Sequence, residues 1–174
     1  MTLRLRPASA DDAQALATFG EATFRDAFAA DNTAENMNQY CAESFSVARL
    51  HAELTGSVFT TLVGYVDSRL AAYVQLTREK HPSCLTADCT PGEIRRIYVD
   101  RRDQGHGFGR QLIDASVHEL SVRGCDCVWL AVWEHNHSAM RFYDNMGFRP
   151  VGDAEFMLGD ELQNDLILAR PIDD

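Results

Sequence analysis

The sequence has no apolar segment long enough to cross a membrane. Its longest apolar run, Val128 to Trp133, falls far short of the roughly 20 residues that a membrane-spanning helix needs. The N-terminal residues, Met1 to Pro7, also lack the apolar core and the small-residue cleavage site of a signal peptide. These absences predict a cytoplasmic protein with no role at a membrane.

The sequence also has no excess of basic residues. It contains 26 acidic residues against 16 lysines and arginines, which gives a formal net charge of −10. A general basic surface for nucleic acid is therefore excluded. An acidic protein attracts cationic small molecules or basic partners, although the same charge is equally well explained by solubility.

The cysteines show no metal-binding or disulfide pattern. There are five, an odd number, at positions 41, 84, 89, 125 and 127, and no C-x-x-C pair is present. The pattern predicts reduced thiols. His135 and His137 lie beside Glu134 but have no third ligand at a recognisable spacing, so we expect no metal site.

What is present is the composition of one globular domain. The chain has 174 residues, of which 45% are hydrophobic and 24% charged, and it shows no internal repeat, low-complexity segment or linker. We therefore expect a single domain over residues 1–174. The late strands could pair across two subunits, so a homodimer is also compatible with the sequence.

Hydrophobic periodicity predicts the order β, three helices, β hairpin, β, α, β, α, β, β. The predicted strands are residues 3–7, 58–66, 70–76, 93–99, 127–133, 148–157 and 165–169, and the predicted helices are residues 9–30, 33–40, 47–54, 108–120 and 136–146. This order is not a regular alternation of strand and helix. It indicates an α/β (α+β) protein with a mixed sheet and helices on its faces.

The most informative segment runs from Glu93 to Arg110, where a strand leads through a glycine-rich loop into a helix. Backbone N–H groups at a helix N-terminus lack intrahelical partners and attract anions, so the segment predicts a phosphate site. The dinucleotide pattern does not fit, because the third glycine comes one residue early and five residues separate the strand from the first glycine. The G-x-x-x-x-G-K-[ST] loop is excluded by the missing lysine. A purely structural glycine turn stays an alternative.

Two patterns in this region match one family. Gln-x-x-Gly-x-Gly at residues 104–109 resembles the acetyl-CoA pyrophosphate loop of the GNAT superfamily of N-acetyltransferases. The segment at residues 136–148 resembles the N-x-x-A-x-x-F-Y-x-x-x-G-F segment of the same family. Further segments at residues 23–28, 133–137 and 156–168 look like the bacterial branch that includes spermidine/spermine acetyltransferases.

The resemblance implies a fold and a co-substrate. The implied fold is a mixed, mostly antiparallel central sheet flanked by helices, with a V-shaped splay between two central parallel strands. The implied co-substrate is acetyl-CoA, whose pantetheine arm would pair with the central strand as an added β-strand does. The cofactor-binding residues that the resemblance implies are Ile97, Tyr98, Val99, Gln104, Gly105, His106, Gly107, Phe108, Gly109, Arg110 and Asn136.

There are two candidate catalytic residues. The resemblance implies Tyr143, and we choose Glu93 from its position. In the family, the tyrosine at the position of Tyr143 protonates the departing CoA thiolate, and a phenol with a pKa of about 10 carries that proton at neutral pH. A plain core aromatic is the alternative for Tyr143. Glu93, at the head of the central strand, is our candidate base for the amine, and an exposed strand-end charge is its alternative.

The sequence thus predicts an enzyme that moves the acetyl group of acetyl-CoA directly to a primary amine, such as a polyamine. Some of the arginines at 95, 96, 101, 102 and 110 could bind the phosphates. Acetylation of a protein N-terminus or of another small amine (an amino sugar or an antibiotic) is a second interpretation. A CoA-binding sensor without catalysis is a third.

Overall fold

A computed structural model, which describes residues 1–172, shows seven strands in one sheet with helices on both faces. The strands are β1 (Arg4–Pro7), β2 (Phe59–Val66), β3 (Arg69–Thr77), β4 (Pro91–Val99), β5 (Cys127–Trp133), β6 (Arg149–Leu158) and β7 (Glu161–Pro171). The α-helices are α1 (Ala13–Phe28), α2 (Ala34–Ser44), α3 (Val47–Thr55), α4 (Phe108–Val122) and α5 (His137–Asn145). Two short 3₁₀ turns, Ala10–Asp12 and Arg101–Asp103, complete the order.

The sheet order is β1-β2-β3-β4-β5-β7-β6, and within residues 1–172 only β4 and β5 are parallel neighbours. Helices α4 and α5 cover one face, where Leu112 and Ile113 of α4 lie in the largest apolar cluster. Helices α1 to α3 cover the other face, where Leu16 and Leu50 are fully buried. We call these the α4–α5 face and the α1–α3 face. The predicted fold class and the predicted element order are both confirmed.

The central strands separate as the family resemblance implied. Pairing between β4 and β5 is limited to Pro91 with Cys127, Gly92 with Val128 and Glu93 with Trp129. Beyond Glu93 the two strands have no register pairs, so they splay into a V that opens toward their C-terminal ends. The V exposes a backbone edge at the middle of an otherwise continuous sheet.

The predicted element boundaries differ from the observed ones mainly at both ends of the chain. The first helix begins at Ala13 and not at Ser9, because a 3₁₀ turn precedes it. The last strand is longer than predicted, since β7 already pairs with β6 from Glu161 onward. The polar residues 161–164 show no strand-like pattern, but the hairpin partner satisfies their backbone groups. Among residues 1–172, no helix combines the length and apolar character that crossing a bilayer requires.

One expectation about the cysteines is wrong. Cys89 and Cys127 form a disulfide, whereas Cys41, Cys84 and Cys125 are free. The two bonded cysteines are 38 residues apart, and the parallel pairing of β4 with β5 brings them together. Spacing along the chain carries no sign of that contact, because the fold creates it.

Candidate active site

The open edge of β4 is the centre of the candidate site. From Ile94 to Val99, no residue of β5 pairs with β4 in residues 1–172, and Ile97 and Val99 are only half-buried. A β-bulge at Arg95 interrupts the pairing with β3, because Gln75 pairs with Arg96 while Leu76 pairs with Ile94. Free backbone N–H and C=O groups on such an edge can pair with an extended ligand, as in β-strand addition.

The loop after β4 is firmly anchored despite its glycines. The Asp100 side chain accepts a hydrogen bond of 2.9 Å from the Arg102 N–H and caps the 3₁₀ turn. Asp103 is buried and accepts a hydrogen bond of 2.9 Å from the Arg69 guanidinium of β3. Gly105 and Gly107 both have φ +81, the left-handed region that favours glycine. The loop is therefore held in one shape from both ends.

The N-terminus of α4 has free backbone donors. Its N-cap is Gly107, which offers no side-chain cap, whereas side chains cap α2, α3 and α5. The first N–H groups of α4 are therefore available to an anion, and the helix dipole favours negative charge there. Phe108 is buried in the core and can contribute only its backbone, while Gln104, His106 and Arg110 are exposed. This arrangement fits a pyrophosphate.

The close approach of α4 to α5 explains the third glycine. A Cβ at Gly109 would lie 3.0 Å from the Phe142 ring, tighter than most real contacts. Gly109 therefore allows the first turn of α4 to pack against the helix that carries Tyr143. The glycine loop is both a candidate phosphate site and a packing requirement.

The arginines near the glycine loop divide into those that pair within the fold and those that stay exposed candidates for phosphate. Arg96 lies on the α1–α3 face, where it donates hydrogen bonds to Glu53 at 2.7 Å and Gln75 at 3.2 Å, and it is buried. It is therefore not available to the phosphates. Arg102 is exposed but pairs with Asp100 at 2.7 Å. Arg101 and Arg110 are exposed and stay candidates for phosphate binding.

The Glu53–Arg96 pair holds the helices to the central strand. Burial opposes the charged form of Glu53, but Arg96, Gln75 and Arg49 outweigh burial and lower the pKa of this carboxyl. Arg96 also donates to the Ser44 carbonyl oxygen at 3.1 Å, at the end of α2. Arg96, one of the five arginines near the predicted phosphate loop, thus stabilises the fold. The sequence did not distinguish this role from phosphate binding.

Tyr143 projects from α5 into the apolar cluster of the α4–α5 face and is buried. Its ring lies 5.3 Å from Phe142 and 5.8 Å from Phe148, measured between ring centroids. Burial raises the pKa of its phenol, so the proton stays in place throughout the physiological range. The Tyr143 phenol is also an electrostatic neighbour of Tyr98 on β4. Tyr143 is thus a core aromatic with a protonated phenol near the V, and its role as acid stays a prediction.

Glu93 is buried at the closed end of the V. Its exposed fraction is 5%, and its Oε2 atom has no hydrogen-bond partner in residues 1–172. Burial raises the pKa of this carboxyl, although Arg95, at 3.7 Å, and Lys80 favour the charged form. The alternative of an exposed strand-end charge is therefore wrong. A carboxyl with a raised pKa and one oxygen without a hydrogen bond is suited to accept a proton.

Asn136 begins α5. Its side-chain oxygen accepts a hydrogen bond of 3.1 Å from the Ala139 N–H, which confirms the predicted helix cap. Contact with the pantetheine arm stays a prediction. The cap places Asn136 just after β5, near the open end of the V.

Sequence reasoning missed a second buried carboxyl, Asp165. It lies on β7, has an exposed fraction of 8%, and its Oδ1 atom has no hydrogen-bond partner in the described chain. Burial and the nearby Glu134 raise its pKa to about 6. The available signal was an aspartate at the start of the apolar run of residues 165–169.

One group of possible metal ligands forms within residues 1–172, and it lies at the opposite end of β5. It consists of Cys89, Asp126 and Cys127. The two sulfurs are bonded to each other, so neither is a thiolate that could bind a metal. His135 and His137 do not join a group of this kind in the described part of the chain.

The sequence matches the family model described as "Acetyltransferase (GNAT) family" over residues 22–148. An uncharacterized N-acetyltransferase in the pepI 3′ region of Lactobacillus delbrueckii subsp. lactis is 32% identical over 158 residues, which cover 86% of each chain. A spermine/spermidine N(1)-acetyltransferase of Bacillus subtilis is 32% identical over 64 residues, which cover 36% of this chain and 42% of that protein.

The fold has a similar counterpart among solved structures. PaiA N-acetyltransferase from Thermoplasma acidophilum, in complex with coenzyme A, superposes with a TM-score of 0.80 over 98% of this chain and 99% of that one, at 19% identity. The family match covers most of the chain, including the V, the glycine loop and α5. The chain therefore belongs to the GNAT family and is an acetyl-CoA-dependent N-acetyltransferase.

Proposed function

We propose that the acceptor is a primary amine on a small cationic molecule, such as a polyamine. The observation that carries the proposal is Glu93, a buried carboxyl at the closed end of the V whose Oε2 atom has no hydrogen-bond partner in residues 1–172. A net charge of −10 favours the approach of a cation. The similarity to the Bacillus subtilis protein points the same way over 36% of the chain. The proposed unit of function is a single domain over residues 1–174.

In this proposal, acetyl-CoA supplies an acetyl thioester, and the residues of the chain position it and move protons. The free donors at the N-terminus of α4 bind the pyrophosphate, with Gln104 to Arg110 around it. The edge of β4 at Ile97, Tyr98 and Val99 pairs with the pantetheine arm, and Asn136 contacts that arm from the start of α5. These contacts leave the thioester near the bulge at Arg95.

The reaction needs a base for the amine, an acid for the sulfur and the loss of a second proton from the nitrogen. An alkylamine with a pKa of about 10.4 must lose a proton before its lone pair can attack, and Glu93 accepts that proton. The nitrogen then forms the new C–N bond, and Tyr143 donates its proton to the sulfur as the C–S bond breaks. The second proton of the nitrogen passes to the Tyr143 phenolate and restores the phenol, and Glu93 releases its proton to solvent. No acyl-enzyme is needed, so the cysteines take no part in the transfer.

The same site also admits other interpretations. The alternatives from the sequence differ from the proposal in the acceptor. They are acetylation of a protein N-terminus or of another small amine, and a sensor that binds CoA and acetylates nothing. A cytoplasmic location and a homodimer stay predictions.

The first experiment is an acceptor panel. Wild-type protein is mixed with acetyl-CoA and, separately, with polyamines, short peptides with free N-termini and aminoglycosides, and release of free CoA thiol is followed. We expect thiol release with polyamines and identification of an N-acetyl product by mass spectrometry. Preferential release with peptides or aminoglycosides would support the second interpretation. Silence across the whole panel, with acetyl-CoA binding intact, would support the sensor.

A further inference from the structure

The α1–α3 face of the sheet contains an opening beside the V. Ala131, at the centre of β5, is exposed although β5 lies in the middle of seven strands. Its neighbours on the same face are Trp129, which is buried, and Trp133, which is half-buried. An exposed alanine between two tryptophans shows that the helices and the loop before β4 leave this position of the face uncovered.

Asp165 lies near this uncovered position. In the sheet register it lies directly opposite Trp133 of β5 and Ala154 of β6, so the three side chains share the α1–α3 face. Its Oδ1 atom is buried and has no hydrogen-bond partner in residues 1–172. A buried carboxyl without a partner is unfavourable for folding, so a ligand that supplies a cationic donor would satisfy it.

Aromatic side chains complete the surroundings of Asp165. The Trp133 ring lies 6.1 Å from the Phe28 ring of α1 in an edge-on arrangement, measured between centroids. Gln163, two residues before Asp165 on β7, donates a hydrogen bond of 2.6 Å to Asn32 and holds the α1–α2 connection over this end of the sheet. A carboxylate next to aromatic rings is the environment in which proteins bind alkylammonium groups.

The two buried carboxyls are too far apart to hold one nitrogen. Glu93 is in register with Trp129, whereas Asp165 is in register with Trp133, four residues further along β5. Four residues of a strand span about 13 Å, and a charged hydrogen bond spans roughly 2.8 Å. An acceptor that satisfies both carboxyls therefore needs two cationic nitrogens joined by several methylenes.

We infer that Asp165, together with Trp133 and Phe28, binds a second ammonium of the acceptor, one that is not acetylated. Asp165 is then a specificity residue that selects linear diamines and polyamines over monoamines. This inference rests on the proposed function, because it assigns the remote end of the same cationic acceptor. Asp165 acts on binding and orientation, and Glu93 and Tyr143 carry the proton transfers.

The test is Asp165→Asn, which removes the charge and keeps the shape. We compare kcat/KM for a linear diamine or triamine with kcat/KM for a monoamine that has the same reactive primary amine but lacks the second nitrogen. We expect the variant to lose about 10- to 100-fold with the polyamine and to be nearly unchanged with the monoamine. The matched control is Glu155→Gln on β6, an exposed acid on the opposite face of the sheet near the same register position.

A pH series gives a second readout. Since the pKa of Asp165 is raised to about 6 by burial and by Glu134, the carboxyl loses its charge as pH falls through 6. The preference of wild-type protein for diamine over monoamine should therefore shrink below pH 6, and Asp165→Asn should show no such change. An equal loss for both acceptors in the variant would assign Asp165 a general structural role and overturn the inference. An unchanged preference would overturn it as well.

Binding separates this inference from the proposed function. Calorimetric titration of the same polyamine into wild-type protein saturated with coenzyme A measures the ammonium site without turnover. If no amine is acetylated, the proposed function fails. Even then, polyamine binding that weakens in Asp165→Asn but not in Glu155→Gln would support the site, and equal or absent binding in all three proteins would refute it.

Discussion

At the scale of single residues, the candidate site depends on buried polar groups that lack partners. Glu93 and Asp165 each have a buried carboxyl oxygen without a hydrogen bond in residues 1–172. Such groups are rare in folded proteins and are unfavourable for stability. They lie on one face of the sheet, on either side of the exposed Ala131, which is the face that we propose for the acceptor.

Tyr143 is the residue whose role a single substitution tests most directly. Tyr143→Phe keeps the ring in the apolar cluster and removes only the phenol proton. If Tyr143 protonates the departing sulfur, kcat should fall by roughly 100-fold, within the usual range for a lost general acid. The dissociation constant of acetyl-CoA, measured by calorimetry, should stay nearly unchanged.

Tyr65→Phe serves as the control for this substitution. Tyr65 also carries a hydroxyl on a half-buried ring, but it lies on β2, next to Arg6. Its removal should leave kcat intact. Full turnover in Tyr143→Phe would assign the proton to another group, and loss of acetyl-CoA binding would mean that the variant is misfolded or that Tyr143 binds the cofactor.

At the scale of elements, the β4–loop–α4 unit combines a β-bulge, two left-handed glycines and an uncapped helix. The bulge lies at Arg95 and the glycines are Gly105 and Gly107. A dinucleotide fold would place its glycines directly after the strand, whereas here the 3₁₀ turn Arg101–Asp103 lies between them. The extra turn is the structural counterpart of the five-residue lead-in seen in the sequence.

Gly107→Ala tests this unit. A Cβ at this position meets no neighbour within 4 Å, so the only penalty is the left-handed backbone, about 1–2 kcal/mol. In the variant without ligand, the loop can relax to another backbone shape, and acetyl-CoA binding must then restore the original shape. We expect the acetyl-CoA dissociation constant to rise by about 5- to 30-fold, measured by calorimetric titration.

Gly124→Ala is the matched control, because Gly124 has φ +82, open space around it and a position beyond the C-terminal end of α4. Gly124→Ala should have a melting temperature about as low as that of Gly107→Ala, and its affinity for acetyl-CoA should stay intact. The idea fails if both variants bind acetyl-CoA as wild type does, or if both lose affinity equally. NAD should not raise the melting temperature of the wild-type protein, of Gly107→Ala or of Gly124→Ala.

At the scale of the whole molecule, the Cys89–Cys127 disulfide ties the loop before β4 to the start of β5. This loop packs Leu85 against the apolar cluster around Trp129, and its Cys84 lies close to Gly152 of β6. The bond therefore closes the end of the sheet where β4 and β5 still pair. The open end of the V lies away from it, whereas Glu93 lies at the closed end.

Loss of this bond should destabilise the fold. Cys127→Ser, or a reducing agent, releases a cross-link between residues 38 apart, worth typically about 2–4 kcal/mol through the entropy of the unfolded chain. We expect a lower denaturant midpoint in both cases, and no further effect of reductant on the variant. Cys84→Ser is the control and should unfold as wild type does. Detection of five free thiols in native protein would contradict the bond itself.

Much of the fold was predictable because local patterns carry it. The order of strands and helices followed from periodicity, and β5 was predicted with its observed limits, Cys127–Trp133, since its residues are apolar throughout, as is typical of a central strand. The cap at Asn136 and the glycine loop were likewise local. The polar half of β7 was missed, because its strand form depends on β6 and not on its own residues.

The sequence by itself determined the family, the fold class and the cofactor loop, since each depends on residues that are neighbours along the chain. Only the tertiary structure decided which charges are buried. It turned Arg96 away from the phosphates and toward Glu53, buried Glu93, and joined Cys89 to Cys127. It also placed Asp165 beside Trp133 on the α1–α3 face. The physical reason is that burial and ion pairing depend on contacts between distant strands, which spacing along the chain does not encode.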